Sequence, residues 1–221
     1  MAALAAIVAG AGACSGGGDK DVVPPGLAFS ETTTTAAASG GTLRIGVVGV
    51  GSLDPASANP GSASSMLVAD LLYDGLTTYD ATKGSVVGAL AKSWRIGNDG
   101  LTWEFAIDPA ATFADGTSIT AADVKQSLER VAAKGDQTLS GVRLSVIVGY
   151  DEFAKRTASA ISGLVANGAT LEVRLRVPYS PLLELFADPV FGVVRPSDVT
   201  AGGFATSPVA SGAFALVSRT D

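Results

Sequence analysis

The side chains able to do chemistry in this chain are mostly carboxylates. Asp99, Glu104, Asp108 and Asp115 fall within a short stretch and could be assembled into an acid-base pair. Asp99 and Asp115 each precede glycine, however, where a short carboxylate accepts backbone N–H groups in a turn, so a structural role is expected of them. Histidine is absent from the sequence, which removes Ser-His-Asp and Cys-His nucleophilic arrangements and most zinc sites together. Catalysis is therefore not expected, and nothing calls for a metal or other cofactor. Arg143, Arg174 and Arg176 could meet an anionic ligand, although solvent-facing strand positions account for the last two. Trp94 and Trp103 fit hairpin packing better than a ligand platform.

Two glycine clusters invite a nucleotide reading. Gly10-Ala11-Gly12 has Ser15 at the place of the third glycine and no strand-helix unit around it. Gly46 to Gly51 lacks the Lys-Ser or Lys-Thr of a phosphate-binding loop and reads as a strand exit where the backbone turns. The formal charge of -6 and pI near 4.6, with scattered basic residues, exclude a nucleic-acid partner on electrostatic grounds.

The elements that must position these residues begin after a long lead. Residues Ala2–Ala13 are small and apolar, shorter than the roughly 20 residues of a membrane span but suited to an export signal. The run ends Ala11-Gly12-Ala13-Cys14, which resembles the lipobox of bacterial lipoproteins and makes Cys14 the candidate lipid attachment site; a plain cleaved signal is the alternative. Residues 15–41, rich in Gly, Ser, Thr and Ala, read as a flexible tether spanning on the order of 30 Å.

Globular patterning starts at Thr42, where TLRIGVV predicts a first strand. Ser64–Tyr73 predicts an amphipathic helix with Leu67 and Leu71 on one stripe, and Val68 and Leu72 on the next. Lys92–Ile96 and Leu101–Ile107 flank Asn98-Asp99-Gly100 as a hairpin, with Trp103, Phe105 and Ile107 facing inward. Thr120 followed by Asp123 predicts a capped helix whose buried stripe is Val124, Leu128 and Val131. A helix over Tyr150–Ile161, a strand over Thr170–Val177, a short helix over Pro181–Phe186 and a last strand over Ala213–Val217 complete the pattern.

Several segments in order carry a family likeness: GGTLRIGV, LDPA at Leu53, LLYDGLTTYD, ALAKSW, DGLTWEFAI, FADGTSITAADVKQSLERV, IVGYDEFAK, TLEVRLRVPYSPLLELFADP and SPVASGAFALVS. Together they resemble the N-terminal portion of family 5 solute-binding proteins of ABC importers, with Ala114 where that family often has His.

The resemblance implies an α/β, type II periplasmic-binding-protein-like clamshell, incomplete here, with mixed sheets and flanking helices. Residues 42–221 would form the N-terminal part of the solute-binding domain, with a smaller subdomain at about 52–188 and an opposing lobe encoded after Asp221. The implied function is capture of peptides or a similar small solute for an ABC permease. The protein would be monomeric and lipid-anchored, in the periplasm or on the outer face of the cell membrane. Ser52 and Asn59, on the first-strand exit, are the polar candidates for solute contact. The alternative is a truncated fragment without independent ligand binding.

Overall fold

A computed structural model describes residues 44–134, 139–200, 204 and 206–219. Cys14, the 15–41 segment and the start of the expected strand at Thr42 lie outside the described residues. The chain divides into Met1–Arg44 and a compact unit, Ile45–Asp221, which holds every element below.

The centre of that unit is a four-stranded antiparallel sheet. Its strands are β3 (Ala91–Ile96), β4 (Thr102–Ile107), β6 (Thr170–Arg174) and β5 (Leu164–Asn167), in the spatial order β3-β4-β6-β5. The alternation in β4 and β6 sends Trp103, Phe105, Ile107, Leu171 and Val173 to one buried face. Trp103 stacks on Phe105 at 6.2 Å, and Phe186 meets Phe105 edge-on at 5.6 Å. Trp94 lies opposite Phe105 on the edge strand β3, so it is only half-buried. Both tryptophans are thus packing residues.

Against this face lies helix α2 (Ala121–Ala132), which buries Val124, Leu128 and Val131 as its spacing requires. The Thr120 hydroxyl accepts from Asp123 N, while the Asp123 carboxylate accepts from Thr120 N at 2.8 Å, a complete capping box.

Helix α1 (Ala63–Leu72) forms as expected but buries Ala69 and Leu72, leaving Leu67 and Leu71 half-exposed. The reason is its docking by the C-terminal end, where Leu72 and Tyr73 join Leu53, Val194, Phe204 and Ala210 in a second apolar cluster. Between α1 and β3, strands β1 (Thr77–Asp80) and β2 (Ser85–Gly88) form a separate hairpin that the sequence patterning did not separate from its surroundings.

Three further elements are short: α3 (Leu139–Arg143), α4 (Tyr150–Ala154) and α5 (Leu182–Phe186). The helix expected to Ile161 stops at Ala154. Arg156 turns into the left-handed region at φ 61°, and the Thr157 hydroxyl donates to the Glu152 carbonyl, a local bond that competes with helix continuation. The strand expected to Val177 ends its ladder at Arg174, and Val177 is exposed.

Neither the strand expected from Thr42 nor that at Ala213–Val217 forms: 44–50 and 213–217 carry no ladder among the described residues. A strand is defined by a paired neighbour, and β-rich composition cannot supply one.

The 44–58 segment is held instead by a buried carboxylate. Asp54, 7% exposed, caps the short 3-10 turn Pro55–Ser57 by accepting from Ala56 N at 2.9 Å and from the Ser57 hydroxyl at 2.9 Å. Arg130 of α2 pairs with Oδ2, the oxygen that also takes the Ser57 hydroxyl, and Lys134 lies 3.7 Å from it. Burial alone would push this carboxyl up. The hydrogen bond and charge of Arg130, with Ser57 and Lys134, outweigh that and hold it below the usual aspartate range.

The chain after α6 (Pro196–Thr200) returns to the end of α1. The Leu72 carbonyl, which has no partner within its helix, accepts from Ser211 N at 3.1 Å and Gly212 N at 2.9 Å, and the Leu71 carbonyl accepts from Phe214 N. A Cβ on Gly212 would fall 2.8 Å from Tyr73 N and 2.9 Å from the Leu72 carbonyl carbon, both backbone atoms that cannot step aside.

Two outcomes follow. Arg130→Ala leaves a buried carboxylate short of its main partner and should cost about 3 kcal/mol in urea denaturation at neutral pH. Because the folded-state pKa of Asp54 is lowered, its contribution is present above about pH 4 and lost as pH falls through the folded value. The loss of stability as pH falls below about 4 should therefore be smaller in Arg130→Ala than in the parent. Gly212→Ala should destabilise by about 2 kcal/mol, read as a lowered denaturation midpoint with an unchanged slope.

Candidate functional site

The residues with the most distinctive pattern, Phe113 to Gly116, form a latch. Phe113 is buried, and its N–H donates to the Thr117 carbonyl at 2.8 Å while Gly116 N donates back to the Phe113 carbonyl. Ala114 N donates to the Ala210 carbonyl at 2.8 Å, tying this turn to the returning chain through backbone alone, so the Ala114 side chain is not needed for the tie.

Asp115 accepts from Thr117 N at 3.0 Å and pairs with Arg195, whose guanidinium also binds Asp198 at 2.6 Å. Asp198 in turn accepts from Val209 N at 3.3 Å. The Thr117 hydrogen bonds, with help from Arg195, hold the Asp115 carboxyl below its usual value.

The other carboxylates follow the same logic. Asp99 accepts from Leu101 N and Thr102 N, Asp108 from Ala110 N, and Glu104 pairs with Arg95 across β3 and β4. Arg143 pairs with Asp188, Arg174 with Glu172 and Arg176 with Asp151. Each of these charges is matched within the fold.

The face that remains is the segment from Gly49 to Ser62. Gly49 sits at φ +52°, which turns the chain out of the extended 44–48 run. Val48 N donates to the Ser64 hydroxyl at 3.1 Å, and the Arg219 guanidinium donates to the Gly51 and Val50 carbonyls at 2.8 and 3.1 Å. The Tyr73 hydroxyl donates to the Leu53 carbonyl at 2.9 Å; burial, reinforced by the Asp54 charge, pushes that phenol up, so it stays a neutral donor.

Ser52 is half-buried and accepts from Asp54 N at 3.1 Å. Asn59 is exposed, and its side-chain oxygen accepts from Gly61 N at 2.9 Å. Each serves its own turn, which leaves the Ser52 O–H and the Asn59 amide NH₂ as donors. No hydrogen bond joins the two among the described residues.

A cleft of about 320 Å³ lies elsewhere, between α2 and α6, with Ser127, Arg130, Val194 and Val199 in its walls, and it includes neither Ser52 nor Asn59. Arg195, Arg219 and Tyr73 were not among the sequence candidates. Arg219 is 168 residues from Gly51, and no local pattern announces such a contact.

Comparison with known proteins places this geometry. The family model described as Bacterial extracellular solute-binding proteins, family 5 Middle, matches residues 85–221. The glutathione-binding protein GsiB of Pectobacterium atrosepticum is 29% identical over 177 residues, 77% of this chain and 31% of that protein; the Salmonella typhi protein of the same name is 31% identical over 176 residues, with the same coverage.

Among solved structures, the murein tripeptide binding protein MppA of Escherichia coli superposes with a TM-score of 0.67 at 28% identity, over 76% of this chain and 34% of that one. A periplasmic oligopeptide-binding protein of Borrelia burgdorferi gives 0.67 at 29% identity, over 76% and 35%. The chain thus spans about a third of the length of the relatives it matches. The architecture is that of part of a type II periplasmic binding protein, and the chain belongs to the family 5 bacterial extracellular solute-binding proteins.

Proposed function

We propose that this protein captures a peptide-like solute outside the cytoplasm and delivers it to an ABC permease. The match of the family model to residues 85–221 carries this reading. The relatives, named as binding proteins for glutathione, a murein tripeptide and oligopeptides, favour peptides over other solutes. The export run at Ala2–Ala13 and Cys14 support a lipid-anchored protein at the outer face of a membrane, with residues 15–41 as tether. Among the described residues no helix is long and apolar enough to cross a membrane. No catalytic role is assigned to Asp99, Glu104, Asp108 or Asp115, which serve turns and ion pairs.

The solute would lie against the 49–62 segment of a body whose smaller part runs from about 52 to 188. Ser52 and Asn59 present hydrogen-bond donors there, suited to carbonyl or carboxylate oxygens of a peptide. Enclosure against further protein surface would supply the rest of the affinity.

A second reading, a fragment without ligand binding of its own, is favoured by one observation. Val48 and Val217 stand 88% and 97% exposed, and Phe214 60%, apolar surface that a self-sufficient body would bury.

Calorimetry with glutathione and a panel of tri- and tetrapeptides, on the protein as its cells make it, tests the first reading. Micromolar or tighter binding of at least one peptide is expected, with Ser52→Ala and Asn59→Ala each weakening it about tenfold. Binding of only a sugar or metal chelate would overturn the peptide assignment. The second reading is tested by detecting the native species with an antibody against residues 42–221. A mass more than twice the 22.0 kDa of this chain would reject a stand-alone fragment, and a mass near that value would support it.

A further inference from the structure

We propose that Arg219 is a positioning residue for solute binding, acting through the carbonyls of Val50 and Gly51. The inference rests on the reading of the 49–62 segment as solute-facing. Its guanidinium fork donates from Nη1 to Gly51 O at 2.8 Å and from Nη2 to Val50 O at 3.1 Å. Successive carbonyls of an extended strand point to opposite sides, so one planar fork can take both only where the backbone has left the pleat. Gly49, at φ +52°, turns the chain immediately before these two carbonyls. The fork therefore selects one loop conformation out of those that a glycine-flanked segment could adopt.

Two further contacts show that the fork works with the fold. Leu216, three residues before Arg219, packs with Val50 against the cluster of Leu53, Leu72 and Tyr73, so the two segments are already side by side. On either side of the clamped carbonyls, Val48 N is held by Ser64 and Asp54 N by Ser52.

Val50 O and Gly51 O each already hold a donor from the protein, the Arg219 guanidinium. Among the described residues no group accepts from the N–H of Val50, Gly51 or Ser52. The clamp biases the loop toward donating, so it fits an oxygen-bearing acceptor on the solute, a peptide carbonyl or carboxylate, in preference to a cationic group. Holding the loop before the solute arrives removes the ordering cost from binding.

The test uses Arg219→Gln and Arg219→Lys in the protein as its cells make it. In the ligand-free state, ¹⁵N relaxation should give rigid order parameters, about 0.85, at Val50–Ser52 of the parent and below about 0.6 in Arg219→Gln, with α2 unchanged and Arg219→Lys between. Affinity for every peptide that binds should fall about tenfold in Arg219→Gln, by a similar factor whatever the peptide's side chains, and partly recover in Arg219→Lys.

An unchanged loop in Arg219→Gln would overturn the proposal. So would a loss of order that spreads equally to α2, which would make Arg219 a general stabiliser. A fall in affinity with an unaltered loop would also overturn it and make Arg219 a direct contact. If the parent binds no peptide, the solute-facing reading fails by itself, while the relaxation data still decide whether Arg219 orders the loop.

Discussion

A carboxylate cannot leave water without replacement partners, and the arrangement of this unit follows from how Asp54 meets that demand. Its two oxygens draw in the Ala56 N–H and the Ser57 hydroxyl from its own turn and Arg130 from the last turn of α2. Since α2 is fixed on the sheet by Val124, Leu128 and Val131, Arg130 carries that position to the 53–57 segment. The segment has no ladder to hold it, so its register depends on a charge pair and on the Tyr73 hydroxyl at Leu53. Arg130 also lies 5.2 Å over the Phe204 ring, which extends the same tie to the returning chain.

How much of this could be read from the residues depended on the range of the interactions involved. The capping box at Thr120 and Asp123, the β3–β4 hairpin and the inward face of β4 were legible because their signals lie within a few positions of one another. The premature end of α4 at Ala154 needed the left-handed Arg156, which no periodicity reveals. The strands expected at Thr42 and Ala213 show the limit from the other side, since their composition is right but a ladder needs a neighbour. The candidate site was legible only as a stretch of chain. Ser52 and Asn59 were picked out as polar residues on a strand exit, and each proves to serve its own turn, whereas Arg219, which touches that exit, was missed because its contact spans most of the chain.

The Phe-Ala-Asp-Gly turn separates two kinds of information that a distinctive motif can hold. Asp115 looks like a chemical residue, yet its oxygens go to Thr117 and Arg195, and the turn's outward bond, from Ala114 N to Ala210 O, is made by backbone. The turn joins two distant stretches of one fold.

The sequence separation of the contacts has a consequence for how the molecule assembles. The four strands and α2 all come from residues 91–174, with pairings between neighbours or near neighbours. Asp74 and Ser211, by contrast, are 137 residues apart, and Gly51 and Arg219 are 168. Closing such loops costs more entropy and slows the contacts that depend on them. As the chain emerges from its amino end, the sheet and its helix can form while the Gly49–Ser52 loop is still unconstrained, so that loop takes its shape last.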